Sequence, residues 1–131
     1  MRPQPELLLL GAAIVVGVVQ LLWATVAGRG QQGLTWGRGP RDEPMPLAGG
    51  AGRLTRSFQN FMETFPLHAA AVVVAYLLAK LGDLTLWGSA LYVAGRALHP
   101  PLYLLAIPWT RTLAWFVAFA GTLMVVAAIF L

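Results

Sequence analysis

The stretch Leu7–Ala27 is apolar along its length, interrupted of note only by Gln20. About 20 consecutive apolar residues carry a helix across the hydrocarbon core of a bilayer. In lipid every backbone N–H and C=O must be satisfied inside the protein, so a spanning chain is confined to helices and closed barrels. The run exceeds the apolar core of about 7–15 residues that a secretory signal carries, and it is read as a first transmembrane helix. The rest of the chain agrees: 58% of residues are hydrophobic and 11% charged, against about 25% charged in a soluble domain. Length and composition together define one integral membrane domain over residues 1–131.

The formal net charge of +4 rests almost wholly on arginine. There is no lysine-rich run and no soluble basic face, so nucleic acid is not an expected partner; basic loops that hold topology are the simpler cause. Cysteine is absent. That excludes disulfides, thiolate metal sites and a nucleophilic thiol of the protein's own. With only His68 and His99 as imidazoles, no metal site is expected either.

Three more spans follow the first. Residues 28–52 are rich in glycine, with Pro40, Pro44 and Pro46, and are expected to be a surface loop without regular helix. A second helix over about 54–80 begins amphipathic and turns apolar from Phe65, with Pro66 inside it, where a kink is expected. Leu81-Gly82-Asp83 reads as a tight reversal. A third helix covers about 84–107, with Pro100 and Pro101 in its later part, and a fourth covers about 110–131 after a break at Pro108. The expectation is an all-α, four-helix transmembrane bundle. Arg29, Arg38, Arg41, Arg53, Arg56 and Arg111 fall on one side and only Arg2 and Lys80 on the other. The positive-inside bias therefore places the long loop in the cytoplasm.

Against this apolar background two polar stripes stand out. Arg53, Arg56, Asn60 and Glu63 recur at steps of three and four, on one face of the second helix. Arg96, His99 and Tyr103 do the same on the third. An ionisable group at mid-bilayer costs about 2.5–3.5 kcal/mol on insertion scales, so such groups mark function by default. Folding the second helix back on the third at Gly82 brings both stripes into the same half of the membrane. The least costly arrangement points them at each other. Arg53 and Arg56 alone would be ordinary flanking charges, but Asn60 and Glu63, deeper and in phase, extend them into a site. His68 is read as structural.

A pocket so lined has a ligand preference. Guanidinium forks grip carboxylates bidentately, Glu63 suits an ammonium group, and Asn60 and Tyr103 suit amides. Several cations facing one acid match a small molecule with two carboxylates and an amine. Glutathione has those groups and would bring the thiol that the chain lacks. A nearby guanidinium would stabilise its thiolate, and the apolar surround would hold a lipophilic second substrate.

The same residues carry a family resemblance. Arg53-Leu-Thr-Arg56-Ser-Phe-Gln-Asn60-Phe-Met-Glu63-Thr-Phe-Pro66 resembles the second-helix signature of the MAPEG family, the membrane-associated proteins of eicosanoid and glutathione metabolism. Gly95-Arg96-Ala-Leu-His99-Pro-Pro-Leu-Tyr103 resembles its third-helix motif, in which the His position is often Tyr. The resemblance implies homotrimers of four-helix subunits, with glutathione between neighbouring subunits near the cytoplasmic side. It implies Arg53, Arg56, Asn60, Glu63, Arg96, His99 and Tyr103 as glutathione-binding residues. Arg111, at the start of the fourth helix, is the candidate thiol-activating residue. The function so implied is a glutathione-dependent transferase or peroxidase acting on lipophilic electrophiles. A bacterial-type member would sit in the inner membrane. The alternative on the same fold is a non-catalytic lipid- or glutathione-binding membrane protein.

Overall fold

The computed structural model describes residues 4–131, so Arg2, counted above among the flanking charges, lies outside the described residues. Every regular element in that range is a helix: α1 Pro5–Gln32, α2 Leu34–Arg38, α3 Gly49–Leu77, α4 Asp83–Leu105 and α5 Thr110–Phe130. Two of them, α1 and α5, are long and apolar enough to cross a membrane, with only 22% and 33% of their most apolar windows buried. The core helix of a soluble protein would be mostly covered. Here Ile14, Val15, Val18, Val19, Leu22 and Val26 stand exposed along α1. Apolar surface this extensive is not left facing water by a soluble monomer.

The long connection is more regular than its glycine content leads one to expect. Helix α1 continues through Gly28 and Gly30 to Gln32. It stops at Gly33, whose φ of 85° few other residues adopt, with the Gly33 N–H bonding the Arg29 carbonyl at 2.8 Å. The short α2 follows, and α3 starts early, at Gly49. The segment between is held by side chains that take over the role of backbone pairing. The Gln31 amide donates to Ala48 O at 3.0 Å and accepts from Ala48 N at 2.8 Å. Gln32 Nε2 donates to Met45 O at 2.6 Å and Trp36 Nε1 to Glu43 O at 2.9 Å. The density of glycine raised the entropic cost of order here, and these bonds offset it.

Helix α3 runs unbroken through Pro66 and ends at Leu77, earlier than Lys80. Ala79 takes a left-handed conformation (φ 56°), Lys80 N bonds Ala75 O and Ala79 N bonds Tyr76 O, the paired bonds of a Schellman cap. Helix α4 runs through Pro100 and Pro101 to Leu105.

Helix α4 packs against α1, α3 and α5, and α3 also packs on α1 and α5. The α4–α5 contact is the closest because small residues face each other. A Cβ on Gly95 would lie 2.6 Å from Ala114 O, and one on Gly88 2.6 Å from Gly121 O. Such close backbone approach is how helices associate where lipid removes the hydrophobic driving force. Ala71, Val72, Ala75 and Val125 form one apolar core, and Ala13, Tyr92 and Ala118 another.

Candidate functional site

The first half of α3, the second half of α4 and the first turns of α5 meet at the end of the molecule that carries the α1–α3 connection. Between them lies a cleft of about 170 Å³ lined by Arg56, Gln59, Asn60, Glu63, His99, Tyr103 and Arg111. Arg111 is placed there by the turn after α4. Pro108 has no N–H to continue a helix, Ala106 and Trp109 both adopt left-handed backbone (φ 56° and 71°), and Thr110 Oγ1 closes the turn on Ile107 O at 2.9 Å. The result sets the Arg111 guanidinium over the Tyr103 ring, 4.2 Å from its centroid. From the other side Arg56 Nε donates to the Tyr103 hydroxyl at 3.0 Å. Arg56, Glu63 and Arg111 are exposed, while Asn60 and Tyr103 are partly buried and His99 is buried. The cleft is thus open on its outer wall and fixed on its inner one.

The inner wall is a buried hydrogen-bond cluster. Arg96 is fully buried; its Nη1 donates to Asn60 Oδ1 at 2.7 Å and its Nη2 to Ser57 O at 3.4 Å. Its guanidinium also lies against the Phe61 ring, 5.6 Å from the centroid. The hydrogen bonds that Arg96 makes therefore go to Asn60 and to backbone, while Glu63 lines the open cleft. Ser57 Oγ meets His99 Nδ1 at 2.7 Å and reaches Gln20 Oε1 at 3.5 Å. Gln20, the one notable polar interruption of the first apolar run, is thereby explained: it is buried and brings α1 to the cluster. A buried polar group that lacked such partners would cost a few kcal/mol.

Two other spaces adjoin the cleft. A groove of about 270 Å³ shares Asn60 and Glu63 with it and adds Arg96, Leu67, Trp115 and Phe119. It runs along the α3–α5 seam and is mostly apolar. A second, of about 360 Å³, lies beyond Tyr103 and contains Arg53 and Arg111. Of the residues singled out in the sequence, Arg56, Asn60, Glu63, His99, Tyr103 and Arg111 therefore meet in one cleft. Arg96 underlies it as the partner of Asn60, and Arg53 is set apart on the far side of Tyr103.

Sequence reasoning missed Ser57, Thr64 and Tyr92 as members of the polar interior. Thr64 Oγ1 and the Tyr92 hydroxyl are 3.1 Å apart, and His68 stacks on Tyr92 at 3.8 Å and meets Thr122 Oγ1 at 3.1 Å. The signal was present: Ser57, Asn60, Thr64 and His68 also step by three and four. His68 has polar neighbours in phase, and its contacts are internal.

Apolar helices with bare flanks define an α-helical integral membrane protein, with a cation-rich cleft at one end beside an apolar groove. The sequence model of the MAPEG family matches residues 7–131, nearly the whole chain, and the protein belongs to that family. No curated protein and no solved structure was found to match it.

Proposed function

We propose that the protein is a glutathione-dependent transferase or peroxidase acting on lipophilic electrophiles, with four spans and three copies in the assembly. The observation that carries this reading is the meeting of Arg56, Asn60, Glu63, His99, Tyr103 and Arg111 in one cleft that shares a wall with a mostly apolar groove. Arg56 suits a carboxylate of glutathione and Glu63 its ammonium group, which leaves Arg111 for the thiol. The open outer wall, formed by exposed Arg56, Glu63 and Arg111, is the face that a neighbouring subunit would close. The open mouth of the cleft supports a site toward the cytoplasm, where the loop arginines fall under the positive-inside bias.

In the chemistry proposed, the thiol releases its proton to water at the cleft mouth and the Arg111 guanidinium stabilises the thiolate. With an aryl or alkyl halide the sulfur forms a bond to carbon and the halide leaves with the bonding pair. With a hydroperoxide the sulfur attacks the terminal oxygen, the O–O bond breaks and the alkoxide takes a proton. A second glutathione then displaces hydroxide from the sulfenic sulfur, yielding disulfide and water.

The test is conjugation of an aryl halide by the purified protein, with ultraviolet thiolate absorbance followed in parallel. Wild type is expected to show both signals, and Arg111→Ala to lose turnover while glutathione still binds in calorimetry. Binding with no turnover in wild type would replace this reading with a non-catalytic one. The absence of binding would remove both.

A further inference from the structure

On the opposite face of α3 from the cleft, the loop that follows α1 encloses a second recess of about 310 Å³. Helix α3 contributes Thr55 and Phe58 to it. At about 100° per residue these lie across the helix from Arg56, Asn60 and Glu63. The floor is apolar, made by Leu21, Ala24, Leu47 and Phe58. The rim is cationic, made by Arg29 and Arg41. Among the described residues that line it there is no carboxylate.

The two guanidiniums are held in place rather than trailing in solvent. Both lie against Trp36, Arg29 at 5.6 Å and Arg41 at 5.5 Å from its ring centroid. Arg41 Nε and Nη2 donate to Gly37 O at 3.0 and 2.8 Å, which fixes the side chain without neutralising its charge. Arg29 Nη1 and Gln32 Oε1 are buried atoms without a hydrogen-bond partner. Trp36 is itself anchored by its bond to Glu43 O. Two cations held against one indole over an apolar floor, with no carboxylate among the described lining residues, have the build of an anion site.

The position selects the kind of anion. The recess sits where α1 leaves its apolar run, the depth at which lipid headgroups lie. Leu21, on its floor, is 46% exposed, so the recess opens sideways toward acyl chains as well as upward. Basic pockets between helices at that depth bind anionic headgroups. We propose that this recess binds the phosphate of an anionic phospholipid between Arg29 and Arg41, with an acyl chain lying along Leu21 and Phe58.

The experiment delipidates the detergent-purified full chain, offers it phosphatidylglycerol or phosphatidylcholine of equal chain length, and counts retained lipid by native mass spectrometry. Wild type is expected to retain one phosphatidylglycerol at about tenfold or greater preference, with Arg29→Gln/Arg41→Gln abolishing the preference. Arg38→Gln, an exposed arginine of the same loop outside the recess, is expected to leave it unchanged. Millimolar inorganic phosphate is expected not to displace the lipid. Equal retention of the two lipids by wild type would overturn the proposal without reference to any variant. Loss of the preference with Arg38→Gln would reduce it to a diffuse basic flank and overturn it too. Full displacement by inorganic phosphate would make the recess a free-anion site instead.

Discussion

The guanidinium of Arg111 and the ring of Tyr103 are stacked face to cation at 4.2 Å, and the hydroxyl of the same tyrosine accepts a hydrogen bond from Arg56. One side chain of α4 thus holds two cations, from α3 and α5, that would otherwise repel. The ring face attracts Arg111, a contact worth about 0.5–2 kcal/mol depending on solvation, and the phenol oxygen orients Arg56. These two functions can be separated. Tyr103→Phe keeps the ring and loses the oxygen. It is expected to weaken glutathione binding about fivefold, the equivalent of one hydrogen bond of about 1 kcal/mol, with kcat for aryl-halide conjugation unchanged. Tyr103→Leu loses both and is expected to lower kcat as well. Calorimetry and initial rates on the two variants check this, and equal kcat in both would show that Arg111 does not need the ring.

Asn60 faces both ways, lining the cleft and accepting from the buried Arg96 at 2.7 Å. A purely ligand-binding asparagine would be replaceable without loss of stability. Asn60→Ala instead strands part of a guanidinium with no solvent access, and removing one partner of a buried charge costs about 3 kcal/mol. The expected result is a large fall in thermal stability in detergent. Asn60→Asp, which keeps the acceptor, is expected to retain most of it.

The Ser57–His99 contact, 2.7 Å, joins α3 to α4 beneath the cleft. Ser57→Ala and His99→Phe therefore should not add. A double-mutant cycle in unfolding free energy is expected to give a coupling of about 1 kcal/mol, within the range found for buried contacting pairs. Coupling near zero would mean that the two side chains are satisfied separately.

How much of this was visible beforehand depends on whether helical phase carried it. Arg56, Asn60 and Glu63 were legible because three charged or amide groups at steps of three and four have one geometric meaning. His99 and Tyr103 were legible for the same reason, and the reversal near Gly82 then brought the stripes together. Ser57 and Thr64 escaped notice because hydroxyls are unremarkable in apolar helices and bond locally as readily as across them. Arg53 was grouped with its stripe although it sits on the far side of Tyr103. Phase alone does not say which cations share a cavity: Arg53 shares one with Arg111 but not with Arg56. The order in the 28–52 connection was illegible because it rests on the amides of Gln31 and Gln32 finding backbone partners 17 and 13 residues away, respectively, and no local pattern announces such pairs.

Gly95 precedes Arg96 and faces α5, where an added Cβ would come within 2.6 Å of Ala114 O and 2.8 Å of Ala118 N. Both neighbours are backbone and cannot turn aside. Gly95→Ala must therefore push α4 from α5, a small-to-large change that typically costs about 1–3 kcal/mol. Because Arg111 and Tyr103 sit on those same two helices, their stacking should loosen with it. The expected outcome is a lower melting temperature together with a fall in glutathione-dependent turnover. A variant that melts lower but turns over normally would show that the cleft tolerates the shift.

Ala79 offers a change in the opposite direction, far from the cleft. It holds the left-handed position of the cap that ends α3, with φ 56°, and the neighbouring bonds of Lys80 and Ala79 leave it no other conformation. A Cβ there costs about 1–2 kcal/mol in steric strain, and glycine, though it gives up about 0.4–1 kcal/mol through the freedom of the unfolded chain, carries no such strain. Ala79→Gly is therefore expected to stabilise the protein by somewhat under 1 kcal/mol, seen as a small rise in melting temperature in detergent. Ala79→Val, which adds β-branching at the same φ, is expected to lower it. Ligand binding at the cleft should be unmoved in both. A fall in stability with glycine would mean that the turn between α3 and α4 relaxes out of the left-handed region when the protein is in solution.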